Sequence, residues 1–428
     1  MSTYAAVKTA LTEKKLDESF SRVYSKKHFD EQYERFLGVL SDFEEQYGKD
    51  EEREISLFSA PGRTEISGNH TDHNHGRVIA AAVDLDAVAA ASKNNDGIVR
   101  VKSKGYNIDT VELNDLEVNS EDVGHSRSLV RGILARFKEL GYNIGGFDAT
   151  TASKVLSGSG LSSSAAFEVL VCTMLNHLYN DGKISPAEIA KISQYAENVH
   201  FKKPCGLLDQ TACAVGGFVT IDFADPSKPL IEKVPLDFEK TNHALCIVDT
   251  GGSHSDLTDE YASVRREMEQ VAAFFGKKVL REISKKDVIE NAAAVAKAVS
   301  ERAVLRALHF FGENERVEKQ VTFLKAGDFE NFKKLVIESG FSSYMYNQNV
   351  YSNKTPENQP VSLGLALSEE LLKDRGAWRV HGGGFAGTIQ AFVPYELLDR
   401  YIALMSAVFG EASCYVLSIR PVGGAKFI

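Results

Sequence analysis

Leu156-Ser157-Gly158-Ser159-Gly160-Leu161-Ser162-Ser163-Ser164-Ala165-Ala166-Phe167-Glu168 is the stretch around which the chain is organised. Upstream, Phe147, Ala149 and Thr151 alternate in a run that predicts a strand from Phe147 to Val155. Downstream, Ala165, Val169, Cys172, Leu175 and Leu178 recur at helical spacing. Strand, glycine-rich turn and helix gather free backbone N–H groups and the positive end of a helix dipole at one point, which is how a chain binds an anion. The serine hydroxyls add donors, or an oxygen ligand for magnesium. The glycine pattern alone does not decide. The G-x-x-x-x-G-K-[ST] loop is absent, and Ser163 stands where a dinucleotide fingerprint needs its third glycine. A capped helix after a flexible turn reads the same residues equally well.

Composition narrows the class. With 428 residues, 43% of them hydrophobic, the chain has room for two domains, each with its own core. Asp225-Pro226-Ser227-Lys228-Pro229 is the best linker candidate, giving domains 1–225 and 226–428. The net charge is −10, from 49 Lys+Arg against 59 Asp+Glu, and no long basic block occurs, so nucleic acid is not an expected partner. The first residues lack the apolar core of a signal peptide, and no run reaches the length of a membrane span, so no membrane partner is expected. Cys172, Cys205, Cys213, Cys246 and Cys414 are scattered and form no C-x-x-C pair, which fits a reduced, cytoplasmic protein without structural zinc.

In chain order, the first part to Gly48 reads as charged helices with an apolar stripe through Phe36, Leu40 and Phe43. A strand from Ile55 to Ser59 is expected to end at the turn signal Ala60-Pro61-Gly62. Val78–Val83 and Val88–Ser92 read as successive buried elements, and Asn94-Asn95-Asp96-Gly97 predicts a hairpin into Ile98–Ser103. A helix through Leu129, Ile133 and Phe137 stops at Gly141, and Pro186 opens another that carries Glu197. Strands are expected at Phe218–Phe223, Ala244–Asp249, Thr388–Val393 and Tyr415–Ile419, with helices filling most of the interval to Gly340. This mixture favours α+β layers over a regular βαβ series.

Three constellations carry chemistry. Ala60 to Gly76 packs Arg63, Asn69, His70, Asp72, His73 and His75 into one short stretch. Such a set suits many directional hydrogen bonds to a polyhydroxylated ligand, a first-row metal, or simply water. Glu197 and Asp209, separated by Pro204-Cys205-Gly206, are candidates for a magnesium ligand and a base, although surface carboxylates are the default. His381-Gly382-Gly383-Gly384-Phe385-Ala386-Gly387 either cradles a phosphate or lets two backbones pack closely.

Together these stretches resemble the GHMP small-molecule kinases and, within them, the galactokinases. The family pattern A-P-G-R-x-N-x-I-G-E-H-T-D-Y-N-x-G aligns with Ala60 to Gly76, and G-x-G-L-S-S-S-A with Gly158 to Ala165 without change. P-C-G-x-x-D-Q is met by Pro204 to Gln210, with Ala196-Glu197 upstream at the family's spacing. H-x6-Y-x3-R is similar to His254, Tyr261 and Arg265, and G-G-G-F-x-G to Gly382 through Gly387.

The resemblance implies a two-domain GHMP kinase fold of the α+β class, mixed sheets with helices, and an active site in the cleft between domains. It implies that Asp209 is the base for the anomeric hydroxyl and that Arg63 keeps it ionised. Asn69, His70, Thr71, Asp72, Gly206 and Tyr261 would bind the sugar. Gly158, Ser159, Gly160, Leu161, Ser162, Ser163 and Ser164 would wrap the phosphates of ATP, while Ser164 and Glu197 hold Mg2+. The chain departs from the pattern at Asn69 and His73, at Ser126 and Leu129, and in lacking a C-P-E-L-D-x-L segment near Pro356-Glu357-Asn358-Gln359. The expected function is ATP-dependent phosphorylation of galactose on its anomeric hydroxyl. Its alternatives are the same chemistry on another hexose or an N-acetylhexosamine, a non-catalytic sugar and ATP sensor, and a metal-dependent hydrolase.

Overall fold

The structure is a computed structural model that describes residues 2–155, 160–252, 257–385 and 387–428. The chain divides into two compact units that interleave along the sequence: Met1–Arg63, Ala82–Gly217 and Arg420–Ile428 form one, and Thr64–Ala81 with Phe218–Ile419 form the other. This grouping by contacts is a different criterion from a cut in chain order. No helix among the described residues is long and apolar enough to cross a membrane.

In the first unit, the helix Phe29–Tyr47 buries Phe29, Tyr33, Phe36, Val39, Leu40 and Phe43, the three-and-four spacing of a single apolar stripe. Gly48, at φ +83°, ends it. Phe36 packs on Phe20 from the helix Asp17–Ser21, with ring centroids 5.5 Å apart, and on Phe427 near the far end of the chain at 5.1 Å. The C-terminal residues thus complete the core that the N-terminal helices begin.

Two long strands, Glu54–Ser67 and Arg77–Lys93, each have residues assigned to both units, the division falling after Arg63 in the first and after Ala81 in the second. The first does not turn at Pro61-Gly62, as the sequence suggested. Its antiparallel neighbour Ala425–Lys426 pairs only with Phe58 and Ser59, so Pro61 lies beyond that ladder and its missing N–H breaks no bond there. The two expected buried elements after Val78 are one strand of 17 residues.

The hairpin expected at Asn94–Gly97 is likewise corrected. Phe147–Ser153 inserts between the two runs, antiparallel to Arg77–Lys93 and parallel to Ile98–Ser103. The turn residues reverse the chain, but a strand from further along takes the pairing. Ile98–Ser103 then makes its own hairpin with Ile108–Glu112. Helices Ser126–Glu139 and Ser163–Tyr179 form as their periodicity predicts, and Ala165, Val169, Cys172 and Leu175 are fully buried.

In the second unit, the antiparallel order is Ala377–Val380, Thr388–Pro394, His243–Asp249 and Cys414–Leu417. Phe218–Asp222 pairs with the beginning of Arg77–Lys93 and, across residues 223–229, with Leu230–Val234. Helices Thr258–Phe274 and Glu301–Lys325 share a second apolar cluster built on Val264, Met268, Val271, Ala307 and Phe310.

Candidate functional site

Gly158 and Ser159 lie outside the described residues, as does His254. The rest of the glycine-serine turn leads into the helix Ser163–Tyr179 through Ser162, whose φ of +59° and ψ of +69° place it in the left-handed region. A residue with a Cβ seldom adopts that conformation, and its use here aims the side chain. Ser162 Oγ donates to Asp209 Oδ2 at 2.7 Å. The helix's first N–H groups have no carbonyl a turn earlier to bond, so they and the dipole face the turn.

Arg63 is carried to the same place by its strand. Its N–H donates to the Leu161 carbonyl at 3.0 Å, and Nη1 donates to the Gly160 carbonyl. The approach needs Gly62, because a Cβ there would sit 2.8 Å from the Leu161 oxygen and 3.0 Å from Val155. Arg63 Nε meets Asp209 Oδ1 at 2.7 Å and Nη2 meets Oδ2 at 2.5 Å, a two-pronged ion pair. Asp209 sits in the first turn of the helix Leu208–Val215, where a negative charge is favoured. Burial alone would raise the carboxyl's pKa, but the charge and hydrogen bonds of Arg63, joined by the Ser162 hydroxyl, hold it below the ordinary carboxylate value.

Glu197 lies beside the same helix start, on a single wide turn, Ala196–His200, that extends the helix Pro186–Tyr195. Inserted turns of this kind are common at functional sites. Its Oε1 accepts from Ser164 Oγ at 3.2 Å and from Lys203 Nζ at 3.0 Å, and its Oε2 from Gln210 Nε2 at 2.7 Å. Gln210 also donates to Glu168 Oε2 at 3.2 Å. Burial, and then the charge of Glu197, raise the Glu168 carboxyl well above the usual range, favouring the protonated acid. Glu168 Oε1 and Gln210 Oε1 are buried and have no hydrogen-bond partner among the described residues. Gly206, expected to touch the sugar, is exposed in the irregular segment before Leu208. Lys203, Glu168 and Gln210 were not singled out from the sequence. Lys203 immediately precedes the motif run and Gln210 ends it beside Asp209, and Glu168 falls one turn after Ser164 on the same helix face, which is the signal that could have found them.

The second unit holds the histidine-rich loop. It is anchored from below: Gly68 N–H donates to the buried Glu313 carboxylate at 3.1 Å, and His309 bonds the Asn69 carbonyl at 2.9 Å. Burial holds the His309 imidazole down at about 4, and so neutral. Burial would raise Glu313, but Arg316, with His309 and Arg379, brings it down to about 2. His70 takes a left-handed φ of +58° and its Nε2 meets the Gly383 carbonyl at 2.8 Å. The Thr71 hydroxyl donates to the carbonyls of Gly68 and Arg77, which closes the loop on itself. Asp72 opens the short turn Asp72–Asn74 and is partly exposed. Burial, then the charges of His70 and Arg265, keep His73 neutral. Among the described residues no group of three or more His, Cys, Asp or Glu side chains is arranged to hold a metal ion.

Tyr261 donates its hydroxyl to the Gly384 carbonyl at 2.7 Å, and burial raises its pKa to about 12. A Cβ on Gly383 would meet the Tyr261 ring at 2.6 Å, and one on Gly384 would strike the Asn349 carbonyl. Close packing therefore accounts for both glycines.

Comparison with known proteins agrees with these two constellations. Residues 128–217 match the model of the GHMP kinases N terminal domain, and residues 41–93 match the galactokinase galactose-binding signature. The galactokinase of Streptomyces coelicolor is 33% identical over 92% of this chain and 99% of its own length. That of Glaesserella parasuis is 33% identical over 86% and 91%. Among solved structures, Lactococcus lactis galactokinase complexed with galactose superposes with a TM-score of 0.74 at 24% identity, covering 90% of this chain and 98% of that one. A mevalonate kinase gives a TM-score of 0.60 at 16% identity over 85% and 99%, so the α+β fold itself is shared more widely than the sequence. With family models matched over the glycine-serine turn and the histidine-rich loop and 33% identity to a galactokinase over 92% of the chain, the chain belongs to the galactokinase family of the GHMP kinases.

Proposed function

We propose that this protein transfers the terminal phosphoryl group of ATP to the anomeric hydroxyl of galactose. The observation that carries the reading is the Arg63–Asp209–Ser162 group, a carboxylate held ionised and oriented by a two-pronged guanidinium. Asp209 takes the proton of the attacking hydroxyl, and Arg63 offsets the charge that grows on the transferring group. Phosphoryl transfer asks for positioning and charge neutralisation rather than a covalent intermediate, and these residues supply both.

Gly158 to Ser164 bind the ATP phosphates, using the N–H groups at the start of the helix Ser163–Tyr179. His70, Asp72 and Tyr261 bind the sugar. The paired oxygens of Ser164 and Glu197, 3.2 Å apart, are hard donors of the kind magnesium prefers, and so fit that ion. When bound, magnesium neutralises charge on the phosphates. Lys203, on the same Glu197 oxygen, contributes a second positive charge beside it. A reduced, cytoplasmic setting suits the five free cysteines.

The test is ADP release with galactose, glucose, 2-deoxygalactose, 6-deoxygalactose and N-acetylgalactosamine, with the product's phosphorylated carbon assigned by NMR. Magnesium-dependent formation of galactose 1-phosphate is expected. Tight binding of galactose and ATP with no turnover would identify a sensor instead, and a product phosphorylated elsewhere than on the anomeric carbon would refute the assignment of Asp209.

A further inference from the structure

Asn69 lies at the head of the histidine-rich loop, yet its side chain has no hydrogen left to offer a ligand. It is wholly buried; Nδ2 donates to Glu65 Oε1 at 3.0 Å and to the Gly382 carbonyl at 2.6 Å, and Oδ1 accepts from Asn349 Nδ2 at 2.8 Å. Both amide hydrogens are thus spent inside the protein.

Glu65 stands differently. Its Oε1 receives Asn69 and, at 2.9 Å, Nη2 of Arg379, a fully buried guanidinium that also donates to the Ile66 carbonyl at 2.8 Å. Oε2 has no hydrogen-bond partner among the described residues, and the side chain keeps 15% of its surface exposed. In this cluster the amide is closed and the acid is open.

The order of the two residues in sequence is also reversed. The galactokinase pattern R-x-N-x-I-G-E places the amide first and the acid second, whereas Arg63-Thr64-Glu65-Ile66-Ser67-Gly68-Asn69 places the acid first. One acid and one amide are retained, four positions apart and hydrogen-bonded to each other.

We infer that Glu65 and Asn69 are an exchanged acid–amide pair, in which Glu65 Oε2 accepts a hydrogen bond from a sugar hydroxyl and Asn69, with Arg379, positions it. The inference rests on the sugar-kinase reading and names the residue that sets sugar preference. A charged acceptor holds a hydroxyl about twice as strongly as a neutral one, so Glu65 discriminates against a sugar lacking that hydroxyl. Arg379 favours an acid in the pair, because its buried guanidinium bonds Glu65 Oε1 directly at 2.9 Å, whereas Glu313, whose charge it also feels, shares no hydrogen bond with it among the described residues.

The experiment compares wild type, E65Q, E65D, N69E and the double exchange E65N/N69E. KM and kcat are measured on galactose, 2-deoxygalactose and 6-deoxygalactose, and thermal unfolding is followed without ligand. E65Q is expected to raise KM for galactose about tenfold, with kcat within about threefold, and to leave KM nearly unchanged for the one deoxy sugar that lacks the contacted hydroxyl. E65D keeps the charge but withdraws the oxygen, so it shows the same KM pattern with less effect on folding and replaces E65Q if that variant folds poorly. N69E sets two carboxylates against each other and lowers Tm. The double exchange restores one acid and one amide, and recovers most of that loss. Unaltered KM values in both Glu65 variants would overturn the acceptor role, and a double exchange no more stable than N69E would overturn the pairing. A wild-type protein that phosphorylates no sugar in the panel would instead remove the kinase reading itself, so the failures are told apart.

Discussion

Replacing Asp209 by Asn tests the base and its ion pair in one step. The carboxylate accepts from Arg63 Nε at 2.7 Å, from Arg63 Nη2 at 2.5 Å and from Ser162 Oγ at 2.7 Å. An amide has one accepting oxygen, and its NH2 must face a donor of Arg63 or Ser162. At least one charge-assisted bond is lost, worth about 1.5–3 kcal/mol. Arg63, only 15% exposed, loses its counter-charge. Removing one partner from a fully buried pair costs about 3–5 kcal/mol. The Asp209 side chain is 32% exposed, so water recovers part of that, and a loss of about 1–3 kcal/mol is expected. In a domain of this size, that lowers Tm by roughly 2–10 °C.

The chemical step suffers more. A positioned base is worth about 10²–10⁴ in rate, or roughly 3–5 kcal/mol of barrier. Turnover is measured by ADP release at saturating sugar and ATP, and sugar affinity by calorimetry, with S162A as control. The control removes one hydrogen bond but leaves the base, and should cost less than about tenfold. A D209N protein turning over within about fivefold of wild type would refute the assignment.

Other outcomes follow from the same geometry. In R63Q the burial that raises the Asp209 carboxyl is opposed only by the Ser162 hydroxyl and the Lys203 charge, so the acid limb of kcat/KM should move to higher pH; an unmoved limb in the pH–rate profile would separate Arg63 from Asp209. In the wild type, the stability this pair supplies is present above the unfolded carboxylate pKa of about 3.9 and is lost as pH falls through the lower folded value, which acid titration of Tm would register. Glu197→Gln removes a hard anionic ligand, and manganese titration by electron spin resonance should show about tenfold weaker ion binding with ATP present; unchanged binding would clear Glu197 of that role. F36A empties a site wholly buried against Phe20 and Phe427 and should cost about 3–5 kcal/mol by denaturant unfolding, without changing KM for sugar.

Much of the site's chemistry was legible in one dimension because it is local. The glycine-serine stretch, the helix after it and the Pro204–Gln210 run are each short runs of neighbouring residues, so the sequence shows them whole and the proposed phosphate cradle could be read from them. Family motifs then supplied roles that spacing alone left open between a phosphate cradle and a capped helix. What failed was reading local signals as decisive for pairing. Pro61-Gly62 is a turn dipeptide in most settings, but here the glycine is required by the Leu161 carbonyl beside it. Asn94–Gly97 does reverse the chain, yet the competition for a strand's edge is won by Phe147–Ser153, which no short-range rule can see.

The sequence by itself determined the family, the α+β class, the helix after the glycine-serine stretch and the stripe of the N-terminal helices, because each is written in short runs of neighbouring residues. The family pattern already implied that Arg63 serves Asp209; only the tertiary structure decided the geometry, a two-pronged pair between residues 146 positions apart that Ser162 joins. It also decided that Asn69 faces inward while Glu65 keeps an open oxygen. The physical reason is that hydrogen-bond saturation belongs to a three-dimensional neighbourhood. Glu65, Asn69, Asn349, Arg379 and Gly382 share one network although the chain brings them from opposite ends of the second unit, and an amide's identity does not say whether its hydrogens are already taken.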